Sequence, residues 1–165
     1  MVGERRSAGL LLQAAESGEL EVVQAELDGG ANVNFQDENG WTALMKGSVS
    51  GHGEVVQCLL EQGAIIDKRN NKGDTALALA ASHRNVTVLK KLVESGAEIN
   101  LANELREVPL MAAALENHAD AVRYLLEYGA HVNMQESNGN TALLLASWKG
   151  QVEAIRVLLK KTRRC

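Results

Sequence analysis

The sequence is poor in the residues that mark several common classes of protein. It has one proline, two cysteines and only 3% aromatic residues among 165. Small secreted domains carry a dense, even set of bridged cysteines, so this cysteine content favours the cytoplasm or the nucleus. No apolar run approaches the roughly 18 residues of a membrane span, and the start of the chain lacks the apolar stretch of a signal peptide. We expect a cytoplasmic or nuclear protein whose core consists of Leu, Val, Ala and Ile.

The sequence also lacks the common motifs of catalysis and metal binding. It contains no Gly-x-Ser-x-Gly, Walker, His-Glu-x-x-His or Cys-x-x-Cys motif, and its four histidines lie far apart without metal-ligand spacing. With 17 basic and 21 acidic residues, the net charge is −4. An acidic chain has no general electrostatic attraction to nucleic acids or anionic membranes. We therefore expect no enzyme, no metal site, no cofactor and no partner that is a nucleic acid or a membrane.

What the sequence does contain is a pattern that recurs every 33 residues. One series consists of glycines that each precede an alanine, and two further series lie in the segment that follows. The first series is Gly30, Gly63, Gly96 and Gly129. The second series is Gly40, Gly73, Arg106 and Gly139. The third is Thr-Ala-Leu at 42, 75 and 141, with Val-Pro-Leu at 108. Three series in one register predict a stack of repeated structural units.

Each unit has the local pattern of a turn, a helix, a short turn and a second helix. In the unit at 40–63, Thr42 is suited to cap a short helix that Gly51 ends. The following segment, 54–61, places Val and Leu on one helical face, and Gly63 is suited to end that helix in a left-handed conformation. Segments 64–74 and 97–107 are polar and lack helical periodicity, which predicts solvated, turn-tipped connections.

These units resemble the ankyrin repeat. Residues 37–44, Asp-Glu-Asn-Gly-Trp-Thr-Ala-Leu, and 51–56, Gly-His-Gly-Glu-Val-Val, match its pattern closely, and the resemblance covers about 10–160. It implies an all-α solenoid of five stacked helix-turn-helix units with β-turn or hairpin fingers, which binds another protein in the groove between the fingers and the inner helices. The chain is thereby divided into an N-terminal tail at 1–9 and five repeats, namely a capping repeat at 10–36 and repeats at 37–69, 70–102, 103–135 and 136–165.

The sequence departs from the family pattern in three places. Only Pro109 keeps the proline of the family's Thr-Pro-Leu-His, and apolar residues replace its histidine, so that cohesion depends more on packing. Arg106 takes a finger position that the family fills with glycine, which predicts backbone strain and an irregular finger at 103–107. Terminal repeats need a polar outer face, and none follows the last helix. We expect the chain to be part of a longer protein.

The resemblance also implies which residues contact a partner. In this family the contact positions lie at the finger tips and at the ends of the inner helices. Trp41 and Trp148 are the strongest candidates, since both map to surface positions and tryptophan is enriched in binding hot spots. Carboxylates outnumber lysines at these positions, which favours a neutral or basic partner segment. The full predicted set is Glu38, Asn39, Trp41, Val49, Ser50, Lys72, Asp74, His83, Leu105, Glu107, Leu115, Glu116, Trp148 and Lys149.

The sequence leaves several further interpretations open. Residues 92–100 resemble the ankyrin sequence that the oxygen-dependent asparaginyl hydroxylase accepts, so Asn100 is either a modification site or a structural hydrogen-bonding residue. His52 and His118 match a structural histidine of the family. The basic stretch 160–164 is either an import or anion-binding patch or a solvated helix end. Other functions are nucleotide or small-ligand sensing in the same groove, as in the oligoadenylate-activated ribonuclease, and a spacer role in a larger scaffold.

Overall fold

The computed structural model describes residues 2–162, and the side chains of residues 7–161. Ten α-helices and no strand occur in this part of the chain. They are α1 Val2–Ser17, α2 Leu20–Asp28, α3 Ala43–Ser50, α4 Gly53–Glu61, α5 Ala76–Ser82, α6 Val86–Glu94, α7 Pro109–Leu115, α8 Ala119–Glu127, α9 Ala142–Trp148 and α10 Val152–Thr162. The helices form five consecutive pairs, which confirms the predicted all-α solenoid.

The ten helices lie in two layers. The odd-numbered helices each contact the next odd-numbered helix, and the even-numbered helices do the same, while the two helices of a pair also contact each other. We call these the odd layer and the even layer. One aliphatic core cluster runs between them from Leu11 to Leu158. Since each helix pair buries its apolar face against its neighbours, the stack needs the strict repeat length seen in the sequence. None of the helices between residues 2 and 162 is long and apolar enough to cross a membrane.

Local chemistry sets the helix ends as the sequence predicts. Thr42 precedes α3, and its hydroxyl accepts a hydrogen bond from the Met45 amide at 3.2 Å. Gly51 ends α3 in the left-handed conformation, with φ of 81°. Thr75 and Thr141 cap α5 and α9 in the same way, whereas Pro109 opens α7 without such a cap.

A histidine or amide side chain ties each pair of helices to the preceding repeat. His52 Nε2 lies 3.1 Å from the Glu16 carbonyl oxygen, and His118 Nδ1 lies 2.8 Å from that of Ala81. Asn85 and Gln151, at the same place in their repeats, donate to carbonyl groups at the ends of α3 and α7. The structural role expected for His52 and His118 is confirmed.

The first helix begins earlier than the sequence indicates. Residues 2–9, expected to form an N-terminal tail, lie in α1. Ala8 is buried, so the apolar contacts of the first repeat extend beyond the predicted start at 10. At the other end, Lys160 and Lys161 lie in the last turn of α10, where positive charge suits the helix dipole. The rest of the predicted basic patch, Arg163 and Arg164, lies outside the described residues.

Candidate partner-binding surface

The connections between repeats end in four fingers with the same backbone hydrogen-bonding pattern, at 37–41, 70–74, 103–107 and 136–140. In each finger the amide of the first residue donates to the carbonyl oxygen of the fifth, as Asp37 does to Trp41 at 3.0 Å. The side-chain oxygen of the first residue accepts hydrogen bonds from the amides of the third and fifth, and Asp37 Oδ1 does so at 2.9 and 2.8 Å. The tips are therefore held in place before any partner binds.

Hydrogen bonds also join each finger to the next. The amides of Asn71, Glu104 and Ser137 donate to the carbonyl oxygens of Asn39, Lys72 and Leu105 at 3.0, 3.1 and 2.9 Å. Backbone groups of neighbouring fingers thus lie in direct contact. The fingers form one continuous row along an edge of the odd layer.

The finger at 103–107 is regular, which makes the expectation of an irregular turn wrong. Arg106 does take a left-handed conformation, with φ of 63°, as its glycine-like position requires. The Asn103 side chain nevertheless accepts from the amides of Leu105 and Glu107 at 3.0 and 2.9 Å. These bonds, together with the backbone bond from Asn103 to Glu107, hold the turn against a strain of about 1–2 kcal/mol.

The first residue of each finger was not predicted to have a role, although the 33-residue period marks it. This series is Asp37, Asn70, Asn103 and Glu136. All four side chains accept hydrogen bonds from their own turn. Glu136 is the fullest case, because its two oxygens accept from the amides and side chains of Asn138 and Asn140 at 2.7 to 3.1 Å.

Glu136 makes the stability of the last finger depend on pH. The Asn138 amide, followed by the Asn140 amide and both side chains, lowers the pKa of Glu136, while burial acts in the opposite direction. A carboxyl group with a lowered pKa stabilises the fold above its unfolded pKa, and this contribution is lost as the pH falls through the folded pKa. We expect Glu136→Gln to melt at a lower temperature than wild type at pH 7, with a difference that shrinks toward pH 3.

Circular dichroism melts of both proteins from pH 7 to pH 3 check this expectation. Glutamine keeps only one of the two accepting oxygens and turns an amide group toward donors. The control is Glu104→Gln, which makes the same charge change at an exposed finger tip. A gap between Glu136→Gln and wild type that stays constant over this range would contradict the assignment.

The fourteen predicted contact residues differ in exposure. Nine are exposed, namely Glu38, Asn39, Ser50, Lys72, His83, Leu105, Glu116, Trp148 and Lys149. Five are half-buried, namely Trp41, Val49, Asp74, Glu107 and Leu115. All lie in fingers or at the ends of odd-numbered helices. We call the surface between the fingers and the odd layer the groove.

Four of the predicted residues come together in one cavity of the groove. Asp74, Glu107, Leu115 and Glu116 line a cavity of about 210 Å³ between the repeats at 70–102 and 103–135. Its remaining walls are Ala78, Leu79, Ser82, Asn103, Val108 and Ala112. Five of the ten lining residues are apolar, and three of the other five carry carboxylates.

A single amide group positions two of these carboxylates. Asn103 Nδ2 donates to Asp74 Oδ1 at 2.9 Å and to Glu107 Oε2 at 3.1 Å. Each carboxylate keeps a second oxygen for other donors. Two like charges held near one nitrogen favour the approach of a cation. The third carboxylate, Glu116, lies 2.9 Å from Lys149 Nζ.

The two tryptophans lie in different surroundings. Trp148 is 83% exposed at the end of α9, as expected of a surface position. Trp41 is half-buried and packs against the core cluster, so it is less exposed than expected and the prediction of a surface position holds only in part. Lys46 Nζ lies 5.2 Å from the centroid of the Trp41 ring and 3.3 Å from both carboxylate oxygens of Glu16. Trp41 therefore already has a cationic partner within the chain.

Asn100 links two repeats. Its Nδ2 donates to the Gly129 carbonyl oxygen at 3.1 Å, and its Oδ1 accepts from the His131 amide at 2.9 Å. Asn34 makes the equivalent pair of bonds to Gly63 and Ile65. These contacts give Asn100 a structural role across the repeat boundary. Its modification stays a prediction.

Comparison with known families settles what kind of repeat this is. Family models described as ankyrin repeats match residues 11–103 and 110–159. The chain belongs to the ankyrin-repeat family. A search of curated proteins found no match.

The family assignment agrees with the geometry of the ankyrin-repeat fingers and helix pairs described above. Ankyrin repeats generally mediate interactions between proteins. Within residues 2–162, no group of His, Cys, Asp and Glu side chains is arranged to hold a metal ion.

Proposed function

We propose that this chain is a non-enzymatic adaptor or scaffold module that binds a segment of a protein partner along the groove. The observation that carries the proposal is the cavity at Asp74, Glu107 and Leu115, which lies between rigid fingers and the odd layer. Small concave sites with an apolar floor and a few placed polar groups are typical of recognition surfaces. An interface of standard size buries about 800 Å² on each partner. The row of four fingers is long enough to provide such an area.

Charge along the groove supports a neutral or basic partner segment. The finger tips and the ends of the odd-numbered helices carry the carboxylates Glu16, Glu38, Asp74, Glu104, Glu107 and Glu116, against the lysines Lys72 and Lys149. Glu16 and Glu116 already pair with lysines of the chain. The other four carboxylates make no ion pair with a described residue, so they contribute the negative potential that a partner meets. The same potential disfavours nucleotides and nucleic acids.

Site-specific photocrosslinking in cells tests the proposal. Benzoylphenylalanine is placed in the groove at 105 or 148, or on the even side of the stack at 22 or 128. The groove residues are 59% and 83% exposed, and the control residues are 37% and 52% exposed. We expect both groove positions, and neither control position, to crosslink one and the same protein in the cytoplasm or nucleus. Crosslinks chiefly from 22 and 128 would place the interface elsewhere, and none from any position would support a spacer role.

A further inference from the structure

One small side chain at a repeated position of the odd layer lies in the wall of this cavity. Residues at 33-residue spacing occupy this position, namely Lys46, Leu79, Ala112 and Leu145. Ala112 is the smallest of them and lies in the cavity wall. A single water molecule needs roughly 10–15 Å³ of such space, so a cavity of about 210 Å³ accepts a whole side chain.

The repeat at 37–69 shows how the same place is filled when the chain supplies its own cation. There Lys46 extends along the groove, approaches the face of Trp41 and pairs with Glu16. One and two repeats later, the position of Trp41 is taken by Asp74 and Glu107, while that of Lys46 is taken by Leu79 and Ala112. Carboxylates thus replace the ring, and the lysine that would neutralise them is missing.

We infer that the cavity receives the side chain of one arginine in the partner segment, a step that rests on the proposed function. The arginine stem lies on Leu79, Ala112 and Leu115, and its guanidinium group meets the free oxygens of Asp74 and Glu107. Arginine suits this place better than lysine, because its planar group donates in two directions and is less strongly hydrated. A lining that combines apolar side chains with carboxylates complements both parts of that side chain.

A displayed library of random twelve-residue peptides, selected against the whole chain, tests the inference. We expect the enriched peptides to share one arginine flanked by apolar residues. Replacing that arginine by neutral, similarly shaped citrulline in a synthetic peptide should weaken binding to wild type by about tenfold. The same replacement should change binding by less than about twofold in the Asp74→Asn/Glu107→Gln double variant. The peptide arginine and the two carboxylates form one interaction, so removing either side leaves little for the second change to remove.

Two further variants complete the design. Glu54→Gln/Glu127→Gln removes the same two charges from exposed positions of α4 and α8 in the even layer and should keep the tenfold effect of citrulline. Ala112→Leu fills the cavity with the side chain already present at 79 and 145, so it should fold and lose the arginine preference. Melting curves confirm that each variant is folded.

The outcomes separate this inference from the proposed function. Enriched peptides that lack a fixed arginine but lose binding in Trp148→Ala overturn the inference and leave groove binding standing. A citrulline effect that persists in the Asp74→Asn/Glu107→Gln variant also overturns it, as does a selection that enriches no peptide. Peptides that bind the Trp148→Ala and Ala112→Leu variants as well as wild type overturn both.

Discussion

Gly73→Ala is expected to destabilise the stack by about 3 kcal/mol, roughly twice the cost of Gly139→Ala. Both glycines occupy the same left-handed turn position, with φ of 81° and 84°. A Cβ atom at Gly73 would lie 2.8 Å from the Glu104 backbone nitrogen and 3.1 Å from the Asn103 Cα atom. A Cβ atom at Gly139 has nothing within 4 Å. The variants therefore share the conformational penalty, and only Gly73→Ala adds a clash with the next finger.

Urea unfolding followed by circular dichroism measures the difference. A clash with backbone atoms is costly because no side chain can rotate away from it, and it also disturbs the bond from the Glu104 amide to the Lys72 carbonyl oxygen. Gly139→Ala is the matched control, since it carries the φ penalty alone. Equal losses in the two variants would show that neighbouring fingers do not touch through their backbones.

The sequence was sufficient to predict the architecture, because the repeat pattern and the caps act locally. In the unit at 40–63, the predicted helix that Thr42 caps and Gly51 ends agrees with α3. On the predicted helical face at 54–61, Val55, Val56 and Leu59 are buried. Such features depend on a few adjacent residues, and each recurs in several repeats.

Backbone strain was predicted less completely. Arg106 was recognised because it interrupts a glycine series, but Arg84 and Asn117 also have φ near 60°. They stand 33 and 66 residues after Gly51, which has the same left-handed conformation. The 33-residue period therefore marked both positions as left-handed. The regular finger around Arg106 was harder to foresee, since it depends on hydrogen bonds to the Asn103 side chain.

The candidate site was predicted as a set of positions but not as a shape. Asp74, Glu107, Leu115 and Glu116 were all selected from the family pattern, yet the cavity that joins them is also lined by Ala78, Leu79 and Ala112, which that pattern did not single out. Whether a side chain is exposed also depends on its neighbours in space. Trp41 and Trp148 both map to contact positions, but only the former packs against the core cluster and faces Lys46.

This difference between the tryptophans leads to the largest expected effect on binding. Trp148→Ala should weaken the affinity for the groove partner by about 30-fold, the size typical of a tryptophan hot spot. Its melting temperature should stay near that of wild type, because the side chain is 83% exposed and surface substitutions away from special contacts change stability little. Trp41→Ala should lower the melting temperature as well, since it removes half-buried packing and the contact with Lys46.

Titration of the crosslinked partner or the selected peptide against each variant, with parallel melts, separates binding from folding. Tyr128→Ala is the control, because Tyr128 is an aromatic residue that is 52% exposed beyond the end of α8, away from the groove. Loss of its stacking on Tyr124 should reduce stability without reducing affinity. Full affinity in Trp148→Ala together with weakened binding in Tyr128→Ala would move the interface to the even layer. Weakened binding in Trp148→Ala alone ties recognition to the groove end at α9, next to the Lys149–Glu116 pair and the cavity.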